Sequence, residues 1–99
     1  MKTLTLQTVW HQVADLPVRS SSCATLCGHL LAVGGCDESL QNYTTAIHQY
    51  NSATNSWEVI SHMPTARSRT LVAVFPGNKL MVVGGHTGAD KVEIATLQE

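Results

Sequence analysis

The stretch His29-Leu30-Leu31-Ala32-Val33-Gly34-Gly35 is written a second time as Lys79-Leu80-Met81-Val82-Val83-Gly84-Gly85, and this pair of phrases decides the fold. Each is a short apolar run closed by a double glycine. Runs of this length with β-branched members and Gly or Pro flanks favour strands buried on both faces over helices. Upstream of each lies a partner run: small residues over 20–26 in the first copy, and Leu71-Val72-Ala73-Val74-Phe75 in the second. Gly28-His29 and Pro76-Gly77-Asn78 read as the turns between them. The double glycines are 50 residues apart, and Trp10 and Trp57 are 47 apart. Such spacings match a repeating supersecondary unit of ~40–50 residues. Trp10 to Pro17 and Trp57 to Pro64 are both 7 residues, and an arginine follows each proline, at Arg19 and Arg67.

Working outward, residues 36–45 are polar and read as a loop, and residues 46–50 form a mixed third strand. Asn51-Ser52-Ala53-Thr54-Asn55-Ser56 is dense turn chemistry, because Asn and Ser side chains mimic backbone turns. Residues 57–60 form a fourth strand with a polar position, and residues 91–96 alternate around Val92 and Ile94. Residues 10–16 read as a short edge strand stopped by Pro17, which cannot donate to a ladder. No helix is expected. Each unit is then a four-stranded antiparallel sheet graded from buried inner strands to polar outer ones, which is the gradient of a β-propeller blade.

Composition narrows the function. Of the 99 residues 43% are hydrophobic and 13% charged, against a typical ~25% charged, and the net charge is −1. That balance gives no electrostatic footprint for nucleic acid or anionic lipid. No apolar run approaches the ~20 residues of a membrane span, and the first residues lack the apolar core of a signal peptide. The odd cysteine count (Cys23, Cys27, Cys36) fits reduced thiols and a cytoplasmic setting. Their spacing is not that of a structural zinc site, so they read as small buried thiols. The five histidines fall in separate elements, with no nucleophile elbow, phosphate-binding glycine loop or paired carboxylates. No metal, no cofactor and no enzymatic activity are expected.

The combination Gly34-Gly35, Tyr50, Trp57, with Met63-Pro64-Thr65-Ala66-Arg67-Ser68 leading into the next unit, resembles the kelch repeat family. Trp10, Gly84 and Gly85 repeat parts of the same signature. The resemblance implies an all-β, kelch-type propeller fragment of about two four-stranded antiparallel blades. Residues 1–18 would be the outer strand of a preceding or ring-closing blade, 19–63 a complete blade, and 64–99 a blade of three strands. Val92-Glu93-Ile94-Ala95 aligns with Ile47-His48-Gln49-Tyr50, so Ala95 falls where the family has Tyr. Propellers use 4–8 blades, so these units need further blades in a longer chain or self-association. Terminal faces would expose Leu71, Val82 and their neighbours.

The resemblance further implies a protein or peptide partner, met by loops on one rim. Arg19, Ser20, Tyr43, Arg67, Ser68, Arg69 and His86 are the candidates there. Arginine clasps carboxylates through two hydrogen bonds and serine adds a donor, so the rim suits acidic peptides. Family members serve as substrate receptors of ubiquitin ligase complexes, or bind actin and signalling proteins. The alternatives are a piece of a kelch-propeller oxidase or carbohydrate-modifying enzyme, and a truncated product without independent function.

Overall fold

The computed structural model describes residues 12–37, 42–85 and 91–96. Every element in it is a strand: β1 (Ser22–Leu26), β2 (His29–Val33), β3 (Ala46–Asn51), β4 (Ser56–His62), β5 (Leu71–Phe75), β6 (Lys79–Val83) and β7 (Val92–Thr96). They form two antiparallel meanders, β1-β2-β3-β4 and β5-β6-β7. The repeat read from the sequence is therefore a repeat of sheets.

Local chemistry explains the turns. Leu26 pairs with His29, leaving a two-residue connection of Cys27 (φ 51°) and Gly28 (φ 77°). Two successive positive φ angles match the right-handed twist of a hairpin. The turn thus lies one residue earlier than Gly28-His29. The equivalent hairpin carries three residues between paired Phe75 and Lys79, so the spacing between sheets grows from 49 at β1/β5 to 50 at β2/β6. Between β3 and β4 the Asn51 side chain accepts the Ala53 N–H (3.0 Å), and Asn55 (φ 50°) accepts the Tyr50 hydroxyl (2.8 Å). A bulge opposite the Ile47/His48 step places Ile60 outside the register.

The core lies between the two sheets. Leu26, Leu31, Val33 and Ile47 of the first meet Leu80 and Val82 of the second, with Met63 from the connection and Ala24 and Val72 at the margin. Burying each such side chain contributes about 1.5–3 kcal/mol. Burial fades outward across the first sheet, from β2 through β3 to β4. The second sheet shows the reverse at its inner edge, where Leu71 is 75% exposed. Opposed residues in antiparallel strands share a face, so Leu71, Val83 and Val92 point away from the first sheet while Val82 points into it. Val82 is accordingly core and not part of the exposed terminal face.

Two further expectations change. Residues 12–16 run beside the first sheet without forming the expected strand; Trp10 lies outside the described residues. Ala14 is instead held by side chains, its N–H donating to Asn55 Oδ1 (2.9 Å) and its carbonyl accepting Trp57 Nε1 (2.9 Å). Tyr50 and Trp57 form a tilted ring pair with centroids 5.3 Å apart, half-buried at the outer strands. Cys23 and Cys27 are exposed, one on the face away from the second sheet and one in a turn; Cys36 alone of the three is buried.

Candidate partner-binding rim

The double glycine of the first unit is where the connection between sheets crosses. The Gly35 N–H donates to the Arg67 carbonyl (2.8 Å), the Gly34 N–H to Ala46 (3.0 Å), and the Arg67 N–H to Thr44 (3.3 Å). A Cβ on Gly34 would overlap the Arg67 carbonyl oxygen, and its φ of 67° is one that side chains resist. Glycine there permits backbone to lie on backbone, which draws residues 63–70 across the end of the first sheet.

That crossing sets the true correspondence of the rim. A Cβ on Gly35 would meet Val18, the Arg19 carbonyl and Ser21; on Gly85 it would meet Arg67, the Ser68 carbonyl and Thr70. Ser20 (φ 58°) and Arg69 (φ 54°) share the same left-handed backbone. So Arg67 corresponds to Val18, Ser68 to Arg19, and Arg69 to Ser20. Two extra residues after Pro64 shift the second unit, and the pairing of Arg19 with Arg67 suggested by the two prolines does not hold in space.

Arg67 is fully buried. Its Nη1 donates to the carbonyls of Gly84 and Lys91 (2.9 Å each), and its Nη2 is paired with the Glu93 carboxylate. Thr65 Oγ1 also donates to Glu93 (3.1 Å). The hydrogen bond from Arg67 holds the Glu93 carboxyl below the usual glutamate range against the opposing effect of burial, with Thr65, Arg67 and Lys91 adding to it. Arg67 therefore staples β6 and β7 to the connection. Ser68 is also buried. Both expected rim residues are turned inward.

Arg19, Ser20, Arg69 and Tyr43 are brought together by backbone. Arg19 and Cys36 exchange N–H···O bonds (2.9 and 2.8 Å), Cys36 bridges Tyr43, and the Arg69 N–H donates to the Ser20 carbonyl (3.0 Å). Arg19 and Arg69 are exposed, while Ser20 and Tyr43 are half-buried. Asp37 lies at the base of the same loop, its Oδ2 accepting Asn42 Nδ2 (2.6 Å). His86 lies outside the described residues. Glu93, which decides what Arg67 can do, carries no signal in the sequence, being 26 residues away in a strand that reads as merely alternating.

Two histidines lie near each other on β3 and β4, His48 buried and His62 exposed. His48 is buried with Nδ1 unpartnered, and burial, then the neighbouring His62, pushes its pKa down. His62 Nδ1 itself lies 2.9 Å from Thr45 Oγ1. Among the described residues no group of three His, Cys, Asp or Glu side chains is placed to hold a metal ion.

Antiparallel sheets stacked face to face, graded from inner to outer strand and joined by a crossing at a double glycine, define blades of the propeller class. The Kelch motif matches residues 17–64. Kelch-like protein 25 of Rattus norvegicus and that of Mus musculus are each 37% identical over 76 residues, covering 76% of this chain and 12% of the relative. The chain belongs to the kelch repeat family. The match spans about an eighth of the length of these relatives.

Proposed function

We propose that this chain is a protein-interaction part of a kelch propeller, whose rim of Arg19, Ser20, Arg69 and Tyr43 takes an acidic peptide segment of a partner protein. The observation that carries this reading is the pinning of exposed Arg19 and Arg69 on adjoining sheets by the Arg69 N–H to Ser20 carbonyl bond. Two guanidinium groups on backbone that is already fixed lose little freedom on binding a carboxylate, and each offers a two-pronged contact. The half-buried Tyr43 adds an amphipathic ring of the kind that anchors interfaces. Residues 19–63 act as one blade, 64–99 as three strands of the next, and 1–18 as an outer strand belonging to a neighbour. Within a longer protein the same rim would present substrates to a ubiquitin ligase complex, or dock a cytoskeletal or signalling protein.

The test is a binding screen of acidic, neutral and basic peptides against the chain and against Arg19→Glu/Arg69→Glu. Acidic peptides are expected to bind selectively, more weakly at high salt, and at least about tenfold more weakly to the double variant, whose melting is unchanged. Peptide binding that ignores both substitutions and salt would dismiss this rim.

A further inference from the structure

We infer that Arg19, Ser20 and Arg69 form a site for one phosphoryl group, that of a phosphoserine or phosphothreonine in a partner peptide. The inference rests on the rim reading above and narrows its anion from a carboxylate to a phosphomonoester.

Three arginines lie near the junction of the two sheets, and their surroundings differ. Arg67 spends its guanidinium on two carbonyls and the Glu93 carboxylate. Arg19 and Arg69 are exposed, and among the described residues neither guanidinium has a hydrogen-bond or ion-pair partner. Asp37, which follows Cys36 into the neighbouring loop, is turned to that loop. Its Oδ1 accepts the Asn42 N–H (3.4 Å) and its Oδ2 accepts Asn42 Nδ2 (2.6 Å).

The hydroxyls sort the same way. Ser21 Oγ donates to the Gly34 carbonyl and Ser22 Oγ to the Thr70 carbonyl. Of the three consecutive serines, only Ser20 has a hydroxyl without a partner among the described residues. An unused donor thus lies between two unused guanidiniums.

Backbone brings these side chains to one place. The Arg69 N–H donates to the Ser20 carbonyl at 3.0 Å, which keeps the two Cα atoms within roughly 7 Å of each other. Arg19 is the adjoining residue, fixed by its paired bonds to Cys36. Ser20 and Arg69 share left-handed backbone, with φ of 58° and 54°. Both long side chains therefore start close enough to meet on a single group.

Charge and oxygen count select that group. A carboxylate carries one charge and two oxygens, and a single arginine fork satisfies it. The second guanidinium would keep an uncompensated charge beside the first. A phosphorylated side chain carries about −1.5 to −2 charge and three acceptor oxygens. It engages both forks and the Ser20 hydroxyl at once, as arginine clusters do with phosphorylated motifs. The whole chain, at a net charge of −1, has no general attraction for anions, so capture falls to this local pair.

The test uses the 99-residue chain and three peptides of one sequence, with Ser, Glu or phosphoserine at the central position. The phosphoserine peptide should bind at least about tenfold more tightly than the Glu peptide, and the Ser peptide should bind weakest. Phosphorus NMR should show the second phosphate pKa, about 6 when free, lowered on binding between the two cations. Arg19→Gln and Arg69→Gln should each remove most of the preference for phosphate, because one fork remains. Melting should not change at these exposed positions. A Glu peptide as tight as the phosphopeptide, or an unmoved phosphate pKa, would overturn the inference and leave the acidic-peptide rim standing. A preference that survives both substitutions would overturn it as well. So would inorganic phosphate that displaces the labelled peptide as readily as unlabelled phosphopeptide does. If neither the Glu nor the phosphoserine peptide binds, this inference and the rim reading fall together.

Discussion

Arg67 concentrates the physics of this molecule at one side chain. It is fully enclosed, with Nη1 on two carbonyls and Nη2 on the Glu93 carboxylate, while its buried Nε has no partner. Buried charge is tolerated only with such partners. Since the Glu93 pKa is lowered by folding, its contribution is complete above the ordinary glutamate value of about 4.3. It is lost as pH falls through the lower folded value. His48 acts earlier: burial resists its protonation, so stability is full above about pH 6.5 and declines as pH falls below it. Urea titrations between pH 3 and 8 should therefore show two acid-side declines. His48→Gln should flatten the one beginning near neutrality. Arg67→Met should flatten the lower one, while costing about 3 kcal/mol at neutral pH by stranding the acceptors that Arg67 served. A wild-type stability that does not vary with pH would contradict both assignments.

At the scale of elements, the inner strands and the β3–β4 turn were legible in sequence because each carries its own local cause. β2 and β5 coincide with their apolar runs, and the turn at Asn51–Ser56 is built by the side chains that announced it. The rim was legible only in part. Arg19, Ser20 and Arg69 do come together, but the two residues added after Pro64 move Arg67 and Ser68 inward, and aligning prolines cannot show that. The expected strand over 10–16 fails differently: over residues 12–16 the hydrogen bonds come from Asn55 and Trp57 side chains, not a neighbouring ladder. The glycine crossing makes its own prediction. Gly28 and Gly34 both have positive φ, yet a Cβ on Gly28 meets nothing within 4 Å while one on Gly34 overlaps Arg67 backbone. Gly28→Ala should cost about 1–2 kcal/mol of left-handed strain. Gly34→Ala should cost several-fold more, read by chemical denaturation, and equal losses would remove the crossing from the account.

For the whole molecule, the account depends on two sheets forming one body. Leu26, Leu31, Val33 and Ile47 have no other described apolar layer to pack on than Leu80 and Val82. The rim and the Arg67 staple both presuppose that packing. The most direct measurement is a methyl NOE spectrum of the selectively labelled chain, mixed with unlabelled copies so that only contacts within one chain are seen. Cross-peaks between the methyls of Leu31 or Val33 and those of Leu80 or Val82 are the predicted result. Two sets of methyls that see only their own sheet would contradict the fold, and with it the rim built across its junction.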